Sequence, residues 1–188
     1  MRTSDEGLKL IKKYEGCHLT AYKCPSGVWT IGYGHTHNVT QGMTITQAQA
    51  DDFLRSDLQN AEKYVEVYAP IYRLTQSQFD ALVSFTYNCG AGNLKKLVNG
   101  GMRSIREISE ALPSYNKSRG VVLKGLTNRR YEEKAMFDRD IPKKSLTEVA
   151  NEVIDGKWGN GNDRRQKLTR AGYDFKQVQA EVNRILKK

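Results

Sequence analysis

Three side chains near the start of the sequence, Glu15, Cys24 and Thr30, have the types and spacing of an acid–base site. Glu15 is a lone carboxylate in "KKYEGC", and Cys24 and Thr30 lie on either side of the turn-forming run "PSG". A protonated carboxylic acid can donate its proton to a leaving oxygen. A hydroxyl can orient water, and a thiol whose pKa is lowered can act as a base or nucleophile. The alternative is that Glu15 only ends a helix and that an ordinary β-turn follows it. The elements that carry these residues bear on the choice.

The segment that carries Glu15 is predicted to be a helix. Thr3 and Glu6 have the T-x-x-E spacing of a capping box, in which two side chains satisfy backbone N–H groups at a helix start. Leu8, Ile11 and Glu15 stand at i, i+3 and i+7, so the carboxylate shares a face with two apolar residues. The glycine that follows ends the helix. Glu15 is therefore expected at the border of the core, where partial desolvation tends to raise a carboxyl pKa.

The segments that carry Cys24 and Thr30 are predicted to form a β-hairpin. "TAYKC" and "VWTIGYG" alternate as strands do, on either side of a loop at 25–27. A three-residue loop with its glycine in the left-handed conformation pairs Tyr22 with Thr30 and Cys24 with Val28. In that register Cys24 and Thr30 point to the same face, whereas one extra loop residue would reverse the arrangement.

From residue 46 to about residue 140 the chain is predicted to be almost entirely helical. Capping boxes open helices at Thr46 and Thr75, and shorter helical pieces follow at 103–112 and 126–138. A linker is predicted at 141–145, where a proline and clustered charges replace apolar residues. The chain thus divides into a larger domain and a small second domain.

The second domain, residues 146–188, is predicted to be a bundle of three short helices. Its second helix is expected to open at an Asn162 or Asp163 cap, and its third at an Asp174 to Gln177 capping box. A domain of this size lies near the lower limit for independent folding, and no disulfide is available to strengthen it.

Positive charge is concentrated in the second domain. The chain has a formal charge of +9, with 19 basic and 15 acidic residues in 1–140 but 11 basic and 6 acidic in 141–188. This balance favours a polyanionic partner, either nucleic acid, anionic lipid or a cell wall that bears phosphate and carboxylate groups. No apolar run is long enough to span a membrane, and the N-terminal segment lacks the apolar region of a secretory signal.

The three cysteines predict neither a disulfide scaffold nor a zinc site. Cys17, Cys24 and Cys89 are too few for the former and too scattered for the latter. A bridge between Cys17 and Cys24 is conceivable, but free thiols are the preferred interpretation. No metal or cofactor is implied.

The motif around the candidate site resembles the phage lysozymes of glycoside hydrolase family 24, in their lambdoid endolysin branch. That family's motif is Glu, eight residues, Asp or Cys, five residues and Thr, which selects Glu15, Cys24 and Thr30 here. Two further blocks agree with the family, at 78–94 and 125–137. The resemblance covers residues 1–140 and implies an α+β lysozyme-like domain. In such a domain a small β-sheet lobe and a helical lobe enclose a cleft for peptidoglycan.

The resemblance also implies roles for the motif residues. Glu15 is expected to be the general acid that protonates the leaving oxygen of a glycosidic bond. Cys24 stands where other members have Asp, so it is a candidate base or nucleophile, although a small half-buried strand cysteine is the alternative. Thr30 is expected to orient water, its alternative being an ordinary β-branched strand residue.

Two more positions are interpreted through the family. Arg129 or Arg130 resembles the arginine that pairs with the catalytic glutamate, the alternative being an exposed basic face. Such a pair lowers a carboxyl pKa, so burial must balance it if the glutamate is to stay protonated. His35 is interpreted as a structural histidine and left out of the catalytic set.

The second domain resembles a CW-seven cell-wall-binding repeat over residues 148–186, with "GKWGNG", "LTRAGYD" and "VQAEVN" carrying the similarity. These repeats are implied to bind the glycan or muropeptide part of peptidoglycan. Trp158 offers an apolar face to a sugar ring, and Asn160 and Arg164 offer hydrogen-bond donors. Alternatively, Trp158 fills the core of a very small bundle.

Both resemblances predict an endolysin, a muramidase that cuts the β-1,4 bond between N-acetylmuramic acid and N-acetylglucosamine. Its expected partners are peptidoglycan and anionic wall polymers, with no specific nucleic acid and no membrane. A monomer is expected that remains in the host cytoplasm until a separate holin-like protein gives access to the wall. A lytic transglycosylase and a non-catalytic peptidoglycan-binding protein are the alternatives. A nucleic-acid binder ranks third because no binding motif is present.

Overall fold

The computed structural model describes residues 1–187, with Arg170 described by its backbone alone. The chain divides into two compact units, Met1–Ile141 and a second unit that starts at Pro142. Each unit has its own cluster of buried apolar side chains.

The first unit is mainly helical with two small sheets. Its elements in chain order are α1 (Asp5–Glu15), β1 (His18–Lys23), β2 (Trp29–Gly32), α2 (Gln47–Glu66), α3 (Ala69–Tyr72), α4 (Gln76–Cys89), α5 (Ala91–Leu97), α6 (Ile105–Ala111), β3 (Lys117–Ser118), β4 (Val121–Val122) and α7 (Lys124–Phe137). Single turns of 3₁₀-helix occupy Asn99–Gly101, Leu112–Ser114 and Asp138–Asp140.

Helix α4 is the centre of the first unit. Phe79, Leu82, Val83 and Phe85 are fully buried, as the apolar character of this segment predicts. The helix packs against α1, α2, α5 and α7. Because α1 ends at Glu15 and α7 faces α4, this packing brings the end of α1 close to α7.

The hairpin β1–β2 adopts the predicted register. Tyr22 pairs with Thr30, and the backbone N–H of Cys24 donates to the carbonyl of Val28 at 3.0 Å. Gly27 has φ +82°, the left-handed conformation that the short loop requires. The predicted register is therefore confirmed. On its other side β1 bonds the segment 43–45, which adds a third chain segment to this small sheet.

Helix starts agree with the sequence at Thr46 and Thr75, where both reciprocal bonds of a capping box are present. At α1 the prediction was wrong, because Ser4 rather than Thr3 caps the helix and accepts from Gly7 N. Thr3 instead donates through its backbone and hydroxyl to Glu62, at 2.9 and 2.8 Å. The Thr3 side chain, which its spacing from Glu6 assigned to the helix cap, is thus used in a tertiary contact with Glu62.

The hairpin β3–β4 was not predicted, since residues 46 to 140 had been expected to be nearly all helix. Arg119 and Gly120 form its turn with φ of +50° and +83°. Two successive residues with positive φ are the mark of a tight two-residue hairpin turn.

The second unit contains α8 (Leu146–Ile154), α9 (Gly161–Arg170) and α10 (Phe175–Leu186). Its core consists of Val149, Ala150, Val153, Leu168, Val178 and Val182. The Asp174 side chain caps α10 by accepting from Gln177 N, which is one of the two bonds of the predicted capping box. The predicted cap of α9 at Asn162 or Asp163 is wrong, because the helix starts earlier, after Asn160.

Between residues 1 and 187, no helix combines the length and the apolar composition that crossing a bilayer requires.

Candidate active site

Glu15 is the last residue of α1 and stands at the edge of the core. Gly16 follows with φ +70°, which ends the helix. The Glu15 side chain is 23% exposed, and its Oε1 accepts a hydrogen bond from Arg129 Nη1 at 2.6 Å. Glu15 is thus partly open to solvent and paired with a single cation.

Arg129, and not Arg130, forms this pair. The Arg129 side chain is only 3% exposed, and its remaining nitrogens are also bound. Nε donates to Glu133 Oε1 at 3.1 Å, and Nη2 donates to the carbonyl of Ser84 at 3.2 Å. The guanidinium also lies 5.6 Å from the ring centre of Tyr14. Its planar fork therefore has one available orientation, with Nη1 toward Glu15.

Glu133 is the buried counterpart of Glu15 on the other side of Arg129. Its side chain has no exposed surface, and a single oxygen, Oε1, accepts from Arg129, from Arg130 Nη2 at 2.8 Å and from Ser84 Oγ at 2.7 Å. Burial raises the pKa of Glu133, while the charges of Arg130 and Arg129 oppose that rise. Two arginines and two carboxylates thus form one chain of contacts, Glu15–Arg129–Glu133–Arg130.

Cys24 and Thr30 are cross-strand neighbours on the hairpin. The half-exposed Cys24 thiol lies 2.9 Å from Ser26 Oγ. Hydrogen bonds from Ser26 and from the Val28 backbone lower the pKa of Cys24 to about 7. Thr30 is buried and donates its hydroxyl proton to the Val28 carbonyl at 3.1 Å.

This arrangement has a definite chemical capacity. A thiol with a pKa of about 7 is half thiolate at neutral pH and can accept a proton from water. The hydroxyl oxygen of Thr30 keeps its lone pairs available to a water, because its proton is committed to Val28. A carboxylic acid at the position of Glu15 can donate a proton to a leaving oxygen.

His35 is held by neighbours in the helical part of the unit. Its Nδ1 lies 2.9 Å from both carboxylate oxygens of Asp57, and its ring stacks on Phe53 with centroids 4.3 Å apart. The nearby Tyr87 hydroxyl donates to the carbonyl of Tyr33 at 3.1 Å. The His35 ring is thus held by a hydrogen bond and by stacking.

The candidate binding residues of the second unit are engaged with their own chain. The indole N–H of Trp158 donates to Glu152 at 3.1 Å, and the indole meets the ring of Tyr173 edge to face at 6.1 Å. Arg164 donates to the Gly159 carbonyl at 2.9 Å and to the Asn160 side chain at 3.0 Å. Arg164 and Asn160 therefore fix the loop before α9. Trp158 remains partly exposed, while packing against the small core.

Sequence reasoning missed Glu133 and Ser84. The sequence could have indicated Glu133, because it stands four residues after Arg129 and such a pair lies on one helix face. Ser84 had none, since its position opposite Arg129 depends on how α4 packs against α7. No group of three or more potential metal ligands occurs among residues 1–187. The three cysteines are all free thiols.

Comparisons with known proteins agree on both parts of the chain. Residues 12–133 match the phage lysozyme family and residues 147–186 match the CW_7 repeat. An endolysin of Acyrthosiphon pisum secondary endosymbiont phage 1 is 41% identical over 145 residues, which are 73% of this chain and 99% of that relative.

Two solved structures show the similarity of fold. The active form of the P1 phage endolysin Lyz matches with a TM-score of 0.69 and 28% identity, over 77% of this chain and 89% of that one. The muramidase domain of SpmX from Asticaccaulis excentricus matches with a TM-score of 0.62 and 35% identity, over 72% of this chain and 97% of that one. The predicted α+β class of the first unit is confirmed, as is the helical character of the second.

Proposed function

The chain belongs to the phage lysozyme family and is a glycoside hydrolase that lyses bacterial cell walls, and from that premise we propose that it is a muramidase. Its substrate is the β-1,4 bond between N-acetylmuramic acid and N-acetylglucosamine. The family membership of the first unit and the CW_7 repeat of the second both support a peptidoglycan substrate. One structural relative is named a muramidase domain, which supports cleavage of the same bond by this chain.

In the proposed reaction Glu15 is the general acid and gives its proton to the bridging oxygen as the glycosidic bond breaks. A water attacks the anomeric carbon. Thr30 accepts a hydrogen bond from that water, and the Cys24 thiolate takes its proton. The products are two shorter glycans, one of which carries a new reducing end. Arg129 orients Glu15 before the reaction and faces its carboxylate afterwards.

The observation that carries this proposal is the 2.6 Å contact between Glu15 and a buried arginine. An exposed helix-terminal glutamate paired with a surface lysine would be an ordinary solvated pair. Glu15 instead faces Arg129, whose other donors are all committed to buried groups. Fixing one carboxylate in this way costs side-chain freedom and is typical of a site that needs a defined geometry.

Clearing of purified cell walls tests the proposal directly. We expect Glu15→Gln to reduce the rate by about a hundredfold or more, because loss of a general acid typically removes that factor. Cys24→Ser should reduce it less, and Cys24→Asp should retain activity. Equal thermal unfolding of wild type and variants is the control for folding. A Glu15→Gln variant that clears walls at the wild-type rate would contradict the proposed mechanism.

A lytic transglycosylase is the second candidate, favoured by the presence of a thiol where other members carry a carboxylate. In that reaction the substrate's own hydroxyl attacks, so one acid–base group suffices. Analysis of the released glycans separates the two reactions. A free reducing end indicates hydrolysis, whereas a 1,6-anhydro end indicates transglycosylation. A non-catalytic peptidoglycan-binding protein would release neither product.

For the second unit, residues 146–188 after a linker at 141–145, we propose wall binding. Eleven basic and six acidic residues in 141–188 give it a net positive charge, which suits anionic wall polymers. Trp158, Asn160 and Arg164 remain the proposed binding residues, with the exposed part of the Trp158 ring as the sugar contact. A tethered module of low affinity still raises the concentration of the enzyme at the wall.

We further propose that the protein is a monomer that accumulates in the host cytoplasm and depends on a holin-like partner to reach the wall. Expression of the chain alone, followed by fractionation and a lysis assay, tests this. Lysis without any membrane lesion would contradict it.

A further inference from the structure

Glu133 is a buried carboxylate that takes no part in the proposed reaction. It has no exposed surface, it does not reach Glu15, and yet it binds the same guanidinium that Glu15 binds. Arg129 presents Nη1 to Glu15 and Nε to Glu133, so one positive charge is shared between two carboxylates. We propose that Glu133, with Ser84, is a positioning residue that fixes Arg129 on Glu15 and limits how strongly Arg129 favours the ionised form of Glu15.

The geometry fixes the orientation of Arg129. Glu133 Oε1 accepts from Arg129 Nε at 3.1 Å, while Ser84 bonds both partners, through its hydroxyl to Glu133 at 2.7 Å and through its carbonyl to Arg129 at 3.2 Å. Ser84 and Glu133 lie on different helices, α4 and α7. Nη1 therefore points to Glu15 only while α4 and α7 are packed together.

Glu133 is the carboxylate that offsets the positive charge of the two arginines, because the other neighbouring groups are neutral or paired with each other. The other titratable or charged groups that face this cluster are Tyr14 and Lys13 on α1, Tyr87 and Cys89 on α4, and Glu132 on α7. Burial is the main cause that raises the pKa values of the two tyrosines and of Cys89. These three groups are therefore neutral near neutral pH. Lys13 and Glu132 pair with each other at 2.6 Å.

Burial raises the pKa of Glu133, but its Oε1 accepts hydrogen bonds from two guanidinium groups and a hydroxyl, which favour the ionised form. Two cations, Arg129 and Arg130, and two anions, Glu15 and Glu133, are then left. Their charges sum to zero when Glu15 is ionised. Without the charge of Glu133 the cluster would carry one positive charge more, and the ionised form of Glu15 would be favoured. A general acid has to be neutral before it reacts, so activity would then fall at a lower pH.

Glu133→Gln tests the inference, which rests on the proposed acid role of Glu15. We expect the alkaline limb of the pH profile for wall clearing to move toward acid by about one unit, since one nearby buried charge shifts a carboxyl by that order. Ser84→Ala, a milder change, should move the limb in the same direction by less. It keeps the test decisive if the Glu133→Gln variant does not fold.

Leu97→Ala is the matched control for stability. Leu97 is fully buried in α5 and outside this cluster, so its truncation destabilises the fold without changing charge near Glu15. Its thermal unfolding temperature should fall while its alkaline limb stays at the wild-type pH.

An alkaline limb at the wild-type pH in both Glu133→Gln and Ser84→Ala, with Glu15→Gln inactive, would overturn the inference and leave the proposed function intact. An active Glu15→Gln variant would instead overturn the proposed function. The two failures are thus distinguishable.

Discussion

At the scale of single residues, Cys24 is the group whose environment most changes its chemistry. Its pKa is lowered to about 7 by hydrogen bonds from Ser26 and the Val28 backbone, whereas burial raises the pKa of Cys89. The reactive form of a thiol is the thiolate. The structure therefore predicts two cysteines of very different reactivity in one chain.

We expect iodoacetamide to modify Cys24 with a rate that rises through about pH 7, while Cys89 reacts only at higher pH. Peptide mass mapping after timed alkylation measures both rates in one sample. Ser26→Ala is the control, because it removes the hydrogen bond that lowers the pKa of Cys24 most and should therefore shift the midpoint of the Cys24 reaction to higher pH. Equal rates at Cys24 and Cys89 at neutral pH would contradict the prediction.

The same thiol should define the acid limb of the pH profile for wall clearing. If the thiolate is the base, activity in the wild type rises through about pH 7. A carboxylate in its place has an ordinary pKa near ~4, so Cys24→Asp should extend activity to lower pH. Unchanged acid limbs in the two enzymes would show that Cys24 does not accept the proton.

The positions of Glu15, Cys24 and Thr30 in the fold were predictable from sequence because the signals that set them are local. Glu15 falls at a helix end and Cys24 and Thr30 at matching positions of a hairpin, which turn and capping rules can reach. The choice between Arg129 and Arg130 was not predictable, because both are buried and only the packing of α7 decides which one faces α1. Glu133 and Ser84 depend on the same packing.

At the scale of elements, Glu62 joins α2 to the segment before α1. It accepts from Thr3 N at 2.9 Å, from Thr3 Oγ1 at 2.8 Å and from Arg2 at 2.8 Å. Burial alone would raise the pKa of Glu62, but these hydrogen bonds and the charge of Arg2 outweigh it and lower the pKa. A carboxyl group whose pKa is lowered on folding stabilises the protein above its unfolded pKa, and that contribution is lost as the pH falls through the folded value.

We therefore expect Glu62→Gln to lower the free energy of unfolding by about 1–3 kcal/mol near neutral pH. The difference from wild type should shrink as the pH falls below about 4, where the wild-type carboxyl is protonated as well. Urea unfolding followed by circular dichroism at several pH values measures this. Glu66→Gln, at an exposed position one turn later on α2, is the control and should change stability by less than about 1 kcal/mol. A deficit that did not depend on pH would contradict the assignment.

The elements that sequence predicted correctly are those with strong local signals. Capping boxes at Thr46 and Thr75 fixed two helix starts, and the glycine of a short loop fixed a hairpin register. One failure has a tertiary cause and the other a local one. Thr3 is taken up by Glu62, and Asn160 lies at the start of α9, where its side chain accepts from Arg164 rather than capping the helix.

At the scale of the whole molecule, the candidate site and the proposed wall-binding module belong to different units. The contacts described for Glu15, Arg129, Glu133 and Cys24 all join residues within Met1–Ile141. The second unit has a separate core. Catalysis and attachment to the wall should therefore be separable by truncation.

We expect a chain that ends at Ile141 to cleave soluble glycan fragments at the full-length rate but to clear intact walls several-fold more slowly. The slower clearing follows from the loss of the tether, which raises the local concentration of the enzyme without adding catalytic contacts. Co-sedimentation with purified walls should show the same order, with less of the truncated chain in the pellet.

Electrostatic attraction alone would give part of this difference, because residues 141–188 carry 11 basic and 6 acidic side chains. The control is therefore a full-length double variant, Lys176→Gln and Lys187→Gln, at two exposed positions of the second unit. Attraction between exposed charges is screened by salt. At high ionic strength the double variant should sediment with walls as the wild type does, while the truncated chain should not. If the truncated chain matched the wild type at both ionic strengths, the second unit would have no part in attachment to the wall.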